Sequence, residues 1–392
     1  MTKPVQVLLL DTNDAMGGVV RVHLNLLRAY DRACVDPSLA CFDRGAVLPL
    51  FQAVPRIRIW PLNFGTKPLQ DCFGWRARVA NACSLVPFGM TLLRLAWACH
   101  RHGIEVIHTS DKRRSVMLVN VLRRLTGARV LYHIHSEFVD FPTNRALLRA
   151  ADAVVANSEA MRINFEQALR PAIRPIEVVY NGLDENALRP GLPSTLRNEL
   201  GAAPDDVLIG IVSRLAPDKG QETFVRAAAL ATAACPQARF VIVGDDKIAS
   251  DNADYGSFLR GLVRELGIEA RTHFLGYRAD MANVYSGMDV VVDACWCEAF
   301  GMVVVEPMAC AKAVVGTAAG GIPEIIEDGV NGLLFTPRGV QALATALQRL
   351  ASDAGLRQRL GRAARRTVET RFTIRAQAMA IETICARLAG RT

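Results

Sequence analysis

Residues 289–317 read DVVVDACWCEAFGMVVVEPMACAKAVVGT and indicate the class of fold. The runs 289–294 and 313–317 are short, rich in β-branched residues and apolar on both faces, which is typical of strands buried on both sides. A longer segment with a helical pattern lies between them. Strands that alternate with helices in this way form parallel sheets with helices on both faces, so the stretch predicts an α/β protein.

The same alternation runs through the whole chain. Segments such as 17–30 and 221–235 have helical periodicity. We predict further strands at 5–10, 105–109, 128–134, 153–157, 176–180, 207–213, 238–244 and 272–276. Each half of the chain is therefore predicted to hold about five strands.

A turn-rich connector at 181–194 separates the two halves. We predict two Rossmann-like doubly wound domains, 1–185 and 195–370, that face each other across a cleft. We expect the last helix, within 371–392, to pack back on the first domain. Because ligands of such sheets bind beyond the carboxyl ends of the strands, functional residues should lie in loops that follow strands.

Composition excludes wholesale disorder, since 51% of the 392 residues are hydrophobic and 21% are charged. The net charge of +8 is uneven: residues 1–190 hold 24 Lys and Arg against 16 Asp and Glu, so the first half carries the whole surplus. Nucleic acid, an anionic membrane surface, an acidic substrate or a merely solvated basic face would each account for it.

The ten cysteines form no CxxC pair, and the single CxC, Cys295 and Cys297, has no second ligand pair near it. This pattern favours reduced cysteines in a cytosolic protein. Residues 5–10 resemble a buried strand and not a signal peptide. The longest apolar candidate, 84–99, is too short for a membrane span. We therefore expect a cytoplasmic location, with attachment to the inner face of the membrane left open.

Two glutamates stand out after the strand at 289–294. Glu298 follows the strand directly and Glu306 comes eight residues later. Between them, Gly301 allows a ligand close to the backbone, and peptide N–H groups at a helix start bind anions. Carboxylates on either side of such a site suit the hydroxyl groups of a sugar. The spacing alone is common.

The loop SRLAPDKG, residues 213–220, follows another strand and carries Arg214 and Lys219, which suit one anionic group. Near the amino terminus, Gly17 and Gly18 open a helix in a loop that is compatible with phosphate but matches neither GxGxxG nor a Walker sequence. Taken alone, residues 213–220 are better explained as an ordinary capped loop with a solvated Arg and Lys, and the glycine loop by itself is a weak signal.

His133 and His135 end the predicted strand at 128–134. A histidine at that place could contact a substrate hydroxyl or could be a satisfied core residue, and the residues alone do not distinguish the two.

Taken together, these features resemble the retaining glycosyltransferases of the group 1 type, glycosyltransferase family 4, which have the GT-B fold. The resemblance covers nearly the whole chain and is densest from 207 to 335. The pieces that carry it, in the family's order, are GGVVR, HIHS, ANSEAMR, NGLD, SRLAPDKG, VIVGDD, FLGYRAD, EAFGMVVVEPMA and GGIPEIIEDGVNGLLF.

The resemblance implies a role for each matching residue. Arg214 and Lys219 would hold the donor diphosphate, Glu298 would contact the sugar hydroxyls, and Glu306 would bind the ribose. His135, chosen over His133, would lie near the reaction centre of the sugar. The remaining donor-binding positions, most of them acting through the backbone, are Gly17, Gly18, Arg278, Phe300, Gly301, Met302 and Val303.

The implied chemistry needs neither a metal nor a cofactor. Fixed cations and N–H dipoles stabilise the leaving nucleoside diphosphate, and in retaining enzymes of this type a leaving-group oxygen is thought to deprotonate the acceptor. No DxD triplet occurs in the sequence, which argues against the metal-dependent class with a single Rossmann domain.

The chain departs from the family's pattern at several positions. Ala299 stands where glycine is frequent, and Ala311, Lys312 and Ala313 replace a Gly-Lys-Pro run. Pro307 follows the second glutamate, so we expect a helix to begin close to it. These changes concern the detailed donor geometry.

The acceptor side is less readable. Segment 72–102 mixes Trp75, Phe88, Leu93 and Trp97 with arginines at 76, 78, 94 and 101, and KRR at 112–114 and RR at 123–124 add charge. One interpretation is a basic amphipathic surface that rests on a membrane. The other is a stripe that faces the core, with the arginines in water.

We therefore predict a retaining glycosyltransferase that moves a sugar from a nucleoside-diphosphate sugar to a glycan or lipid-linked glycan, in cell-surface polysaccharide synthesis, with no nucleic-acid partner. The alternatives are a nucleotide-sugar epimerase of the same architecture and a catalytically silent basic binding protein.

Overall fold

The computed structural model describes residues 3–13, 17–42, 47–63, 75–110, 113–136, 145, 148–169, 175–245 and 254–391. The chain divides into two compact units. The first unit comprises Met1–Gly182 and Ile374–Thr392, and the second comprises Leu183–Thr373.

The first unit is built on one parallel sheet, with seven strands among its described residues in the order β3-β2-β1-β4-β5-β6-β7. The strands are β1 Val5–Leu10, β2 Val35–Phe42, β3 Arg58–Leu62, β4 Val106–Ser110, β5 Arg129–Ile134, β6 Ala153–Ala156 and β7 Ile176–Val178. The helices are α1 Gly18–Ala29, α2 Leu48–Gln52, α3 Trp75–His102, α4 Arg113–Thr126 and α5 Glu159–Leu169.

The second unit repeats this plan, with six strands in the parts of it that the structure describes, in the order β10-β9-β8-β11-β12-β13, all parallel. The strands are β8 Val207–Val212, β9 Ala238–Val243, β10 Thr272–Gly276, β11 Val290–Asp293, β12 Ala313–Thr317 and β13 Leu333–Phe335. The helices are α6 Leu196–Glu199, α7 Gln221–Thr232, α8 Tyr255–Glu265, α9 Met281–Gly287, α10 Met302–Ala309, α11 Ile322–Ile325, α12 Val340–Ser352 and α13 Ala354–Arg371. Its described residues also form 3₁₀ turns at Pro217–Lys219 and Glu269–Arg271.

Each sheet reverses its strand order at one place, between β1 and β4 in the first unit and between β8 and β11 in the second. This is the doubly wound Rossmann order. The strands at both places are buried along almost their whole length, as apolar β-branched runs require. The prediction of two Rossmann-like α/β domains is confirmed.

The predicted strand count is too low. Strands β2, β3 and β13 are absent from the prediction. Pro37 lies in β2 and Pro61 in β3, and proline weakens a strand signal because it lacks the N–H that the ladder uses. Strand β3 lies at the edge of the sheet, so its proline does not interrupt the hydrogen bonds between central strands. Strand β13 has only three residues.

The predicted helix start near Pro307 is wrong. Helix α10 begins at Met302 and carries Pro307 in its last turn. A proline there removes a single N–H from a helix that ends two residues later, so the helix tolerates it. The beginning of α10 is set instead by Gly301.

The predicted connector belongs mostly to the second unit, which begins at Leu183. Its last residue, Ser194, donates from Oγ to the carbonyl of Asn283 at 2.8 Å. The last helix, α14 Ile374–Leu388, is part of the first unit, where Ile381 shares a buried cluster with Leu26 of α1. The boundaries between the two units therefore lie at 182/183 and 373/374, whereas the predicted domains ended or began at 185, 195 and 370.

Candidate functional site

The strand reversal of the second sheet positions the candidate site. Strands β8 and β11 are neighbours, and the chain leaves them toward opposite sides of the sheet. A crevice therefore opens beyond their carboxyl ends, which is where open α/β sheets bind ligands. The loops that follow the two strands contain Arg214 and Lys219 on one side and Glu298 on the other.

An ion pair joins these two loops. Lys219 Nζ donates to Glu298 Oε2 at 2.7 Å, and the side chains are 22% and 26% exposed. Burial alone would lower the pKa of Lys219, but the Glu298 carboxylate and the neighbouring Cys295 outweigh it and hold that pKa above its usual value. Lys219 is therefore a fixed cation that still reaches the surface of the crevice.

Backbone contacts lock the two loops together. The peptide N–H of Trp296 donates to the carbonyl of Asp218 at 2.9 Å. Gly220 has φ +71°, and a Cβ there would lie 1.9 Å from the carbonyl oxygen of Ala294. Only glycine allows this approach, so Gly220 sets the position of Lys219. Gly220 was not among the predicted site residues, although it directly follows Lys219 in the sequence.

Arg214 lies in the same loop but does not join the pair. Its Nη2 donates to Asp218 Oδ2 at 2.8 Å, and both side chains are substantially exposed. An exposed ion pair of this kind contributes little stability and opens readily. The Arg214 guanidinium is thus available to an anion beside Lys219.

Helix α10 begins at the same edge. Gly301 precedes it with φ +118°, a conformation that L side chains rarely adopt. The N–H groups of Met302 and Val303 lie in the first helical turn, where an α-helix has no carbonyl to pair with them. Phe300 is buried and packs edge-to-face on Phe372 at 5.6 Å, so only its backbone can face a ligand.

Glu306 is buried within α10, and its Oε2 accepts a hydrogen bond from the Tyr285 hydroxyl at 2.8 Å. This contact fixes the carboxylate and was not predicted, because Tyr285 lies 21 residues earlier, on α9.

The Arg278 side chain is fully engaged. Its Nη1 donates to Glu199 at 2.7 Å, and its Nε and Nη2 donate to Asp280 at 2.8 and 2.6 Å. These two carboxylates raise the pKa of Arg278. A nucleobase near this loop would therefore meet its backbone, as the resemblance implies.

The remaining predicted residues lie in the first unit. Gly17 and Gly18 precede and begin α1, and a Cβ on either would meet nothing within 4 Å. The fold itself therefore does not require glycine at these positions. The absence of a side chain leaves the space in front of the helix start open. Residues 14–16 of the same loop lie outside the described residues.

His133 and His135 end β5 and follow the same strand alternation, so their side chains share one face. Their ring centroids are 4.0 Å apart. His133 is fully buried and hydrogen-bonded to His108 at 3.2 Å, whereas His135 keeps a small exposed fraction. His135 is thus the better placed of the two to meet a ligand.

Asp293, the last residue of β11, was not among the predicted site residues. Its Oδ1 accepts from the N–H of Cys295 at 3.0 Å, while its Oδ2 is buried and has no hydrogen-bond partner among the described residues. Burial and the nearby Glu298 carboxylate raise the pKa of Asp293 to about 6. Asp293 thus adds a titrating group beneath the ion pair.

Asp293, Cys295 and Glu298 each offer a ligand atom, and these atoms lie within 4.8 Å of one another, a separation that could hold a metal ion. The Lys219 ammonium already faces two of them, with Nζ 3.5 Å from Cys295 Sγ, and supplies positive charge at this place.

Helix α3 carries the described part of the basic amphipathic segment. Val86, Leu93 and Trp97 are each 67% exposed, and Met90 is 48% exposed. These positions recur at helical spacing and form one exposed apolar stripe, with Arg94 exposed beside it. The opposite face is buried, as Leu95 shows.

The other basic residues predicted for this surface either add little free positive charge or lie outside the residues that the structure describes. Arg123 pairs with Asp152, which neutralises its charge. The side chains of Trp75, Arg76, Arg78 and the KRR run at 112–114 lie outside the described residues. No helix in the described ranges is long and apolar enough to span a bilayer.

Comparison with known protein families agrees with this geometry. The family profile described as glycosyl transferases group 1 matches residues 194–367, and the one described as Glycosyltransferase Family 4 matches residues 16–187. The chain belongs to the group 1 glycosyltransferases. This group 1 glycosyltransferase is 32% identical over 224 residues to a protein of Kribbella flavida named D-inositol 3-phosphate glycosyltransferase, a match that covers 56% of this chain and 52% of that one. The chain thus spans about half the length of the curated relatives it matches.

Solved structures extend the similarity over the whole group 1 glycosyltransferase chain. The crystal structure of Anabaena HepE in complex with UDP and glucose is 27% identical, covers 97% of this chain and 99% of its own, and superposes with a TM-score of 0.81. Sucrose-phosphate synthase from Thermosynechococcus elongatus, at 23% identity and a TM-score of 0.79, covers 99% of this chain and 100% of its own and shares the fold.

Proposed function

We propose that this protein is a retaining, metal-independent glycosyltransferase that takes a sugar from a UDP-sugar and passes it to a glycan or lipid-linked acceptor. The observation that carries the proposal is the Lys219–Glu298 pair at the strand reversal of the second sheet, with Arg214 and the start of α10 at the same edge. The complex of HepE with UDP and glucose supports uridine as the base.

The residues divide the chemistry between them. Lys219 and Arg214 would hold the diphosphate and stabilise the negative charge that it gains as the glycosidic bond breaks. The N–H groups of Met302 and Val303 would add a fixed dipole to the same charge. Glu298 would accept hydrogen bonds from sugar hydroxyls, and Glu306 from the ribose.

A role in cell-surface polysaccharide synthesis and a glycan or lipid-linked acceptor are part of this proposal. The name of the Kribbella flavida relative supports testing a phosphorylated polyol as a further acceptor. A polyol phosphate would suit the positive charge of the first unit. An acceptor panel with inositol 3-phosphate and glycan acceptors would name the class.

The first test is a thermal-shift panel with UDP, GDP, ADP, CMP and their common sugars. Ligand at about a hundred times its Kd stabilises a protein by ~2.7 kcal/mol. We expect a selective upward shift with UDP and UDP-sugars. A panel without any shift would contradict the proposal and favour a silent binding protein, and UDP-sugar conversion without acceptor would favour an epimerase.

Lys219→Ala should weaken UDP binding by about tenfold or more, because a half-buried charge-assisted contact to the diphosphate is lost. Titration calorimetry with UDP measures the effect. Lys312→Ala is the matched control: Lys312 is also half-buried, bonds the carbonyl of Ser286 at 2.8 Å and lies at the opposite, amino end of β12. Equal losses in the two variants would contradict a diphosphate role for Lys219.

We also propose that the apolar stripe of α3 rests on an anionic membrane surface near a lipid-linked acceptor. Its support is the exposure of Val86, Leu93 and Trp97 beside Arg94, in the half of the chain that carries the surplus positive charge. Burying one such side chain in lipid contributes about 1.5–3 kcal/mol, and each nearby arginine adds about 1 kcal/mol at an anionic surface.

The double variant Leu93→Ser with Trp97→Ser should therefore lose at least about tenfold of its binding to phosphatidylglycerol vesicles, measured by co-sedimentation. Added salt should weaken binding of the unmodified protein. Leu230→Ser, which removes an exposed leucine from α7 in the second unit, is the control. Unchanged vesicle binding of the double variant would rule out this surface.

A further inference from the structure

Four of the seven histidines of the chain form one buried cluster in the first unit. His23 comes from α1, His108 from β4 and His133 from β5, and His135 is the residue directly after β5. They lie where β1 and β4 part to opposite sides, the strand reversal of the first sheet. The cluster therefore occupies the place where a sheet of this order binds ligands.

Each of the four imidazole rings contacts two of the others, so the rings form a closed circuit. Ring centroids lie 5.8 Å apart for His23 and His135, 4.0 Å for His135 and His133, 5.4 Å for His133 and His108, and 6.2 Å for His108 and His23. His23 stands edge-on to His135, at 78° between the ring planes. His135 is thus held between His133 and His23.

Asp11 anchors this ring. Its Oδ2 lies 2.7 Å from His23 Nδ1, and its Oδ1 accepts from the N–H and the side-chain amide of Asn13 at 2.8 and 2.7 Å. Burial would raise the pKa of Asp11, but His23 and the hydrogen bonds outweigh it and lower that pKa, so the carboxylate is charged. With Nδ1–H fixed on Asp11, only one tautomer of neutral His23 remains.

The other three imidazoles are neutral at pH 7. Burial lowers the pKa of each, and the charge of neighbouring histidines lowers it further: His23 acts on His108, His23 and His108 act on His135, and the other three act on His133. Neutrality matters at His135, because the sugar gains positive charge in a glycosyl-transfer transition state and an imidazolium beside it would oppose that charge.

We propose that Asp11 and His23 are positioning residues that hold the His135 ring in one orientation and one tautomer for contact with the donor sugar. The proposal rests on the proposed function, since His135 is the histidine assigned to the sugar. The plane of the His23 ring lies at 78° to that of His135, and the contact of Asp11 with His23 Nδ1 fixes the His23 ring.

The test uses the full-length chain with ¹⁵N-labelled histidine. In the unmodified protein, the His135 nitrogens should report one neutral tautomer between pH 5.5 and 8. In Asp11→Asn, they should report mixed tautomers. The kcat for release of UDP from UDP-glucose should then fall about tenfold or more. The KM for UDP-glucose should change by less than about twofold, because donor binding depends on the second unit.

Asp152→Asn is the matched control. Asp152 is also a buried, ion-paired carboxylate of the first unit, but it bonds Arg123, Arg129 and the N–H of Val130 at the amino end of the sheet. It should alter neither the His135 signals nor kcat. Wild-type His135 signals in Asp11→Asn would overturn the proposal whatever the rate.

A second variant covers the case in which Asp11→Asn does not fold. His23→Asn keeps an amide donor near the place of Nδ1 but lacks the ring that packs against His135, so it should show the same change in the His135 signals and in kcat. If the unmodified protein neither binds UDP nor turns over UDP-glucose, the proposed function is wrong, and the histidine spectra alone decide whether Asp11 and His23 position His135.

Discussion

Glu298→Ala is expected to reduce sugar transfer by about 10²–10³-fold, the loss that follows removal of one preorganised group from a transition-state contact. The substitution should leave UDP binding intact or strengthen it. Lys219 then loses its partner at 2.7 Å, and the diphosphate becomes the anion that this half-buried ammonium meets. Opposite changes in turnover and in UDP affinity, measured by UDP release and by calorimetry, distinguish a sugar contact from a structural role.

Asp289→Ala is the control for this prediction. Asp289 pairs with Arg197 at 3.0 Å and accepts from the N–H of Leu208 at 2.8 Å, so it is also an ion-paired carboxylate of the second unit. It lies at the amino end of β11, whereas Glu298 follows the carboxyl end. If the Glu298→Ala enzyme transferred sugar at the unmodified rate, Glu298 would have no role in the site.

The proximity of Lys219 and Glu298 was predictable because it depends on topology. Each residue follows a buried parallel strand, and the two strands are neighbours at the reversal of the sheet. Their direct ion pair was not predictable, since the sequence assigned the lysine to a phosphate and the glutamate to a sugar. Side-chain partners depend on loop geometry that Gly220 sets through its close approach to Ala294.

Residues that act across elements were the ones missed. The pattern indicated His133 and His135 because both end one strand, but His23 and Asp11 join them only through the packing of α1 beside β1. Asp293 was counted as the end of an apolar run, and only its burial beside Glu298 shows it to be a titrating group. Strands β2 and β3 were missed for a local reason, the prolines that weaken their signal.

The first unit should lose stability steeply as the pH falls below about 6.5. Burial and, to a lesser extent, neighbouring histidines lower the pKa values of His108, His133 and His135 from 6.5, that of His108 to about 3. The unfolded chain binds their protons below pH 6.5 and the folded unit does not. Unfolding then takes up as many as three protons, and the free energy of unfolding should fall by up to ~4 kcal/mol per pH unit.

The second unit should respond differently. The pKa of His273 is lowered, mainly by burial, so this residue also destabilises the folded unit on acidification. Asp293 has the opposite sign: its pKa is raised to about 6, so between pH 6 and pH 4 the folded unit holds a proton that the unfolded chain releases. The two effects offset each other, and the acid sensitivity should be concentrated in the first unit.

Urea unfolding between pH 5 and pH 8, followed by tryptophan fluorescence, measures this difference. Trp60, Trp75 and Trp97 belong to the first unit and Trp296 to the second, so Trp296→Phe leaves a signal from the first unit alone. His108→Gln should lower the slope of stability against pH by about one third, whatever it does to stability itself, because one proton fewer is taken up on unfolding. A first unit whose stability is flat from pH 7 to pH 5 would mean that these histidines are solvated and protonate in place, and the cluster would then lack the neutrality on which the role of His135 depends.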